Sequence, residues 1–92
     1  TKMNIHIEFC IKWNYEPDFE RVSKIINRIK PKAIVTSNET YPRSGAFEIT
    51  IDSALVFSKL TKNRFPIEEE IEAWLQLWNY YIIWAAKDLA SW

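Results

Sequence analysis

The side chain best suited to chemistry in this chain is Cys10, its only cysteine. A thiolate is a nucleophile and a redox centre, and its reactivity follows its pKa and exposure. Ile11, Lys12 and Trp13 follow it directly. Lys12, and the positive end of a helix opened by Pro17, would both favour the thiolate. With no second thiol in the chain, a mixed disulfide formed at Cys10 needs an outside thiol to resolve it. The chemistry open to Cys10 is therefore monothiol, with glutathione or a partner protein's cysteine as the other half. The competing reading makes Cys10 a small apolar residue packed at a strand end. Trp13 reads most simply as an apolar residue covering the sheet edge, and otherwise as a lid on the loop or a binding aromatic.

Other groups offer less. His6 alternates outward with Glu8, as a surface histidine does. Glu68, Glu69 and Glu70 open a helix and compensate its dipole. Lys59, Lys62 and Arg64 form a small basic cluster that reads as solvated, with a glutathione carboxylate as an alternative contact. One histidine and one cysteine are too few for a zinc site of the usual kind, so no metal and no resident cofactor are expected. Twelve basic side chains balance 12 acidic ones, which leaves no electrostatic footprint for nucleic acid.

The elements that must position these groups follow from periodicity. Met3 to Phe9 alternates, with Met3, Ile5, Ile7 and Phe9 on one side, so it reads as a strand with one buried face that ends at Cys10. Pro17 opens an amphipathic helix carrying Phe19, Val22, Ile25, Ile26 and Ile29 on one stripe, and Pro31 ends it. Ala33 to Thr36 reads as a second strand and Ser37 to Ser44 as a loop. Gly45 to Ile51 alternates again, Asp52-Ser53 is a two-residue hairpin turn, and Leu55 to Phe57 is the return strand. Pro66 starts a last helix. The order β-α-β-β-β-α predicts an α/β (α+β) domain: a mixed four-stranded sheet, thioredoxin-like, with a long C-terminal helix over 66–91. Gly45, the only glycine, sits at a loop-to-strand junction, where positive φ or a close approach to the Cys10 loop would require it.

Two stretches carry a resemblance. One is the first strand running into Cys10-Ile11-Lys12-Trp13-Asn14-Tyr15. The other is Ser44-Gly45-Ala46-Phe47-Glu48-Ile49, followed by Leu55-Val56-Phe57-Ser58-Lys59-Leu60 and Arg64-Phe65-Pro66. Over residues 3 to 75 the chain resembles the selenoprotein W (Rdx) family, and within it the migration and invasion enhancer branch. The resemblance implies a thioredoxin-like fold and a redox motif after the first strand, Cys-x-x-Cys or Cys-x-x-selenocysteine. Cys10 matches the first motif position, and Trp13 stands at the second. The implied function is monothiol redox or thiol-dependent partner binding at Cys10, with Lys12, Trp13, Gly45 and the loop from Asn38 to Ser44 around it. The alternative is a non-enzymatic interaction module that binds through the aromatic C-terminal helix. Dithiol turnover is not expected. Asp52-Ser53 also departs from the family, which usually has a glycine in that turn.

The aromatic tail is the compositional anomaly. Aromatics are 15% of residues, and Trp74, Trp78, Trp84 and Trp92 crowd the end of the chain. Ile67, Ile71, Trp74, Trp78, Ile82, Ala85 and Leu89 share one helical face, enough to dock on a sheet. Leu77, Tyr81 and Trp84 form a second ridge, which predicts an interface and most simply a homodimer. Ninety-two residues allow one domain, 1–92. An apolar fraction of 48% excludes a disordered chain. The longest nearly apolar stretch, Leu77 to Ala86, is too short to span a membrane. No leader-like start is visible, and the expected location is the cytoplasm.

Overall fold

A computed structural model describes residues 3–78. Strand β1 (Asn4–Phe9) leads through a turn into helix α1 (Glu16–Ile29) and back to strand β2 (Ile34–Ser37), which lies parallel to β1. Strands β3 (Phe47–Ile51) and β4 (Ala54–Ser58) form an antiparallel hairpin, and β3 pairs antiparallel with β1. The sheet order is β2-β1-β3-β4. One helical turn, α2 (Lys59–Lys62), follows β4. A last helix, α3, begins at 68 and runs to the end of the described residues at 78.

Alternation decides which face is covered. Ile5 and Ile7 of β1, Phe47, Ile49 and Ile51 of β3 and Phe57 of β4 form one buried cluster. Val22, Ile25 and Ile26 of α1 join it, as do Ile71, Leu75 and Trp78 of α3. Both long helices therefore pack on the same side of the sheet. Fully burying such side chains contributes about 1.5–3 kcal/mol each, which is what a domain this small needs. The opposite face carries His6, Glu8, Thr36, Glu48 and Thr50.

Local chemistry sets the boundaries. Pro17 sits in the first turn of α1 beside Glu16 and Asp18, suiting the missing N–H and the dipole, and Arg28 lies in the last turn. Asp52 and Ser53 have φ of 48° and 72°, the left-handed pair that a type I′ hairpin turn requires. The register of β3 with β4 shifts between Ile49 and Thr50, so Val56 is an extra residue in β4, a bulge on an edge strand. Ser58 caps α2 by accepting from the Thr61 amide at 3.2 Å, and left-handed Asn63 ends it.

Three expectations need correction. Ile67 does not dock on the sheet: it precedes the helix and is 52% exposed. Leu75, left off the predicted stripe, is buried in its stead. The turn α2 went unread as a helix. Asp52 joins the hairpin to the last helix, since its carboxylate accepts from the Asn4 amide at 3.0 Å and the Trp78 indole at 3.2 Å.

Candidate functional site

Cys10 is the first residue beyond β1, and two backbone bonds hold it. Its amide donates to the Ala46 carbonyl at 2.9 Å, and its carbonyl accepts from the Tyr15 amide at 3.0 Å. The intervening residues 11–14 form a turn closed by the Asn14 amide on the Ile11 carbonyl at 2.9 Å, with Asn14 at φ 56°. Tyr15 then caps α1. This strand–turn–helix passage aims Cys10 inward and the turn outward. Cys10 is 1% exposed, whereas Lys12 is exposed and Trp13 is 63% exposed.

Trp13 is thus no cover packed on the sheet edge. Its indole N–H donates to the Ser44 hydroxyl at 3.1 Å, across 31 residues of sequence. That contact brings together the two stretches the sequence singled out, the motif turn and the segment before Gly45. Gly45 has φ 75°, and a β-carbon built on it would meet nothing within 4 Å. The glycine answers to backbone conformation and not to a close approach.

Segment 38–46 is fastened to the end of β1 at successive residues. Phe9 donates its amide to the Asn38 Oδ1 at 3.0 Å and accepts from Asn38 Nδ2 at 2.9 Å. Glu8 accepts the Arg43 amide at 2.8 Å and its guanidinium Nη2 at 2.8 Å. Hydrogen bonding to Arg43 holds the Glu8 carboxyl below the usual carboxylate range, and Glu8 in turn raises Arg43. Glu48 faces Glu8 across the strands, and Arg43 Nη2 lies 3.9 Å from Glu48 Oε1.

Sequence reasoning missed Glu48. Alternation places it on the open face, yet it is buried. Its carboxylate accepts from the Ser58 hydroxyl and, at 3.3 Å, from the amides of Leu60 and Phe47. Only the unread turn α2 could have signalled that. The basic cluster is not simply solvated either. Arg64 forks onto Glu70 at 2.8 and 2.9 Å, and Lys59 lies over the rings of Tyr15 and Phe65 at 5.1 and 5.2 Å. Glu70 also accepts from the Ile67 amide, and with Arg64 as the main cause its pKa falls to about 2. His6 shares a 2.8 Å hydrogen bond with Thr36, as a surface residue would.

A shallow hollow of about 490 Å3 lies on the open sheet face, lined by residues that include His6, Glu8, Tyr41, Arg43 and Thr50. Cys10 does not line it. Among the described residues no group of three or more His, Cys, Asp or Glu side chains could hold a metal ion. Among them, too, no helix is long and apolar enough to cross a membrane. Leu77 of the second ridge is 54% exposed. Tyr81 and Trp84 lie outside the described residues.

A parallel β1-α1-β2 unit extended by an antiparallel hairpin and a last helix, with a cysteine turn between β1 and α1, defines a thioredoxin-like domain. Residues 4–76 match the Rdx family, and the chain belongs to it. It is 30% identical over 69 residues to Migration and invasion enhancer 1 of Mus musculus. That alignment takes in 75% of this chain and 58% of the mouse protein, so the chain spans less than two thirds of that relative. A selenoprotein W-related protein from Vibrio cholerae has the same fold, with a TM-score of 0.71 and 19% identity over 83% of this chain and 95% of its own. A Bordetella parapertussis protein matches at a TM-score of 0.68 and 14% identity, over 80% of this chain and 94% of its own.

Proposed function

We propose that this chain is a redox-silent member of the Rdx family that binds a protein partner through its motif turn. One observation carries the reading: the single thiol is 1% exposed, while Trp13, at the second motif position, is 63% exposed. A buried thiol cannot meet a disulfide, and tryptophan supplies no resolving nucleophile. Exposed Ile11 and Trp13 on one turn, with Lys12 between them, have the composition of an interface anchor: an aromatic, an aliphatic neighbour and a charge at the rim. Here Cys10 is a packing residue, and Gly45 shapes the segment that meets Trp13. Monothiol exchange with glutathione or a partner cysteine would require a local opening that exposes Cys10 first.

A disulfide reductase assay with a thioredoxin-type substrate tests the reading. Negligible turnover is expected. Robust turnover that disappears in Cys10→Ser would overturn it. Trp13→Cys places a thiol at the second motif position and should introduce turnover where wild type has none.

A second reading concerns self-association. The exposure of Leu77 favours a homodimer through α3, with Tyr81 and Trp84 continuing its ridge by sequence spacing.

A further inference from the structure

Trp13 is exposed, yet its indole is held in one place, and what holds it leads back to a residue the sequence leaves as an ordinary surface carboxylate. Ser44, which accepts the indole N–H, lies between Arg43 and Gly45 in a segment without regular secondary structure. Such a segment holds a serine hydroxyl in position only if its own backbone is fixed. Ala46 is fixed by the Cys10 amide on one side of Ser44. On the other side, the Glu8 carboxylate takes both the Arg43 amide and its guanidinium. A carboxylate that binds an amide and a guanidinium of the same residue fixes the backbone and the side chain together. We infer that Glu8 is the positioning residue for Trp13, acting through Arg43 and Ser44 to set the exposed indole before any partner arrives.

The consequence is preorganisation. A preset aromatic loses less conformational freedom on docking than a free one. Glu8 sits on a rigid strand and its carboxylate is mostly covered, so it is the fixed end of the clasp, and exposed Arg43 is the end brought to it. The inference rests on Trp13 being the contact residue. Its test uses neither a partner nor Cys10, so the two can fail separately.

The test is the indole N–H resonance of Trp13 in the full chain by NMR, assigned by its loss in Trp13→Phe. Ser44→Ala removes the acceptor and defines the released position of the resonance. Glu8→Gln and Arg43→Gln each lose the guanidinium–carboxylate fork and keep an acceptor for the residue-43 amide, so each is expected to move it part of the way toward that position. Arg28→Gln, which breaks the unrelated contacts of α1 with Glu68 and Glu72, should leave it in place. If Glu8→Gln fails to fold, Arg43→Gln decides, because that side chain is exposed and its loss leaves the core intact. A resonance that stays put when either partner of the Glu8–Arg43 pair is removed would overturn the inference. So would a resonance that does not respond to Ser44→Ala.

Discussion

Gly45 and Glu70 show how much one residue can decide. At φ 75°, with open space where a β-carbon would go, Gly45 is required by its backbone alone. Gly45→Val should cost about 1–3 kcal/mol in denaturant unfolding, all of it conformational strain. Gly45→Asn should cost less, because asparagine tolerates the left-handed region. An unchanged midpoint for the valine variant would mean that the segment relaxes freely. Glu70 makes a prediction about pH. Its folded pKa of about 2 lies below the ordinary 4.5, so its contribution is fully present above pH 4.5 and is lost as pH falls toward 2. Glu70→Gln should therefore lower the melting midpoint at neutral pH, and its gap from wild type should close in strong acid. A gap independent of pH would place the effect elsewhere than in ionisation.

Among the elements, the β3–β4 hairpin makes the sharpest prediction. Ser53 holds φ 72° without glycine's freedom. Ser53→Gly should stabilise the domain by about 0.5–1 kcal/mol, the left-handed penalty removed less the entropy glycine adds to the unfolded chain. A destabilised variant would mean that the serine side chain has a role in the turn. This turn also shows what sequence reveals. Asp52-Ser53 between two alternating runs was readable as a hairpin, since turn and alternation are local signals. The same holds for β1 and α1, whose stripes of period two and near four name their buried faces outright. Strand ends moved by a residue, as at β2, where hydrogen bonding to β1 and not composition sets the limit. A four-residue helix such as α2 has no period to read, and with it went the burial of Glu48. The stripe of α3 was half legible: Ile71 and Trp78 were placed rightly, but Ile67 lies one residue before the helix begins. At the site, Cys10 and Trp13 were named by spacing and resemblance. The burial of Cys10 was one of the two readings its sequence left open, whereas the Trp13–Ser44 and Glu8–Arg43 contacts join residues more than 30 positions apart. No local pattern encodes such pairs.

At the scale of the whole molecule, the domain has one helical layer on one sheet face and a small core. Leu77 stands outside that core. An apolar side chain left in water forfeits about 1.5–3 kcal/mol relative to burial, so a ridge continuing from Leu77 would favour a second copy. A concentration-dependent dimer is expected in sedimentation, weakened by Leu77→Glu and Trp84→Glu with the monomer still folded. A chain that stays monomeric at high concentration removes the dimer. Unfolding by Trp84→Glu would assign that residue to the intramolecular core.

The burial of Cys10 beside a turn that presents Trp13 is the centre of the functional reading, and thiol labelling kinetics measure it most directly. The native chain and the chain unfolded in denaturant are treated with the same thiol reagent, and the rates are compared. Cys10 is expected to label far more slowly in the native chain, at a rate set by the local opening that exposes it. Native labelling as fast as in denaturant would contradict the reading and return Cys10 to the role of a reactive thiol.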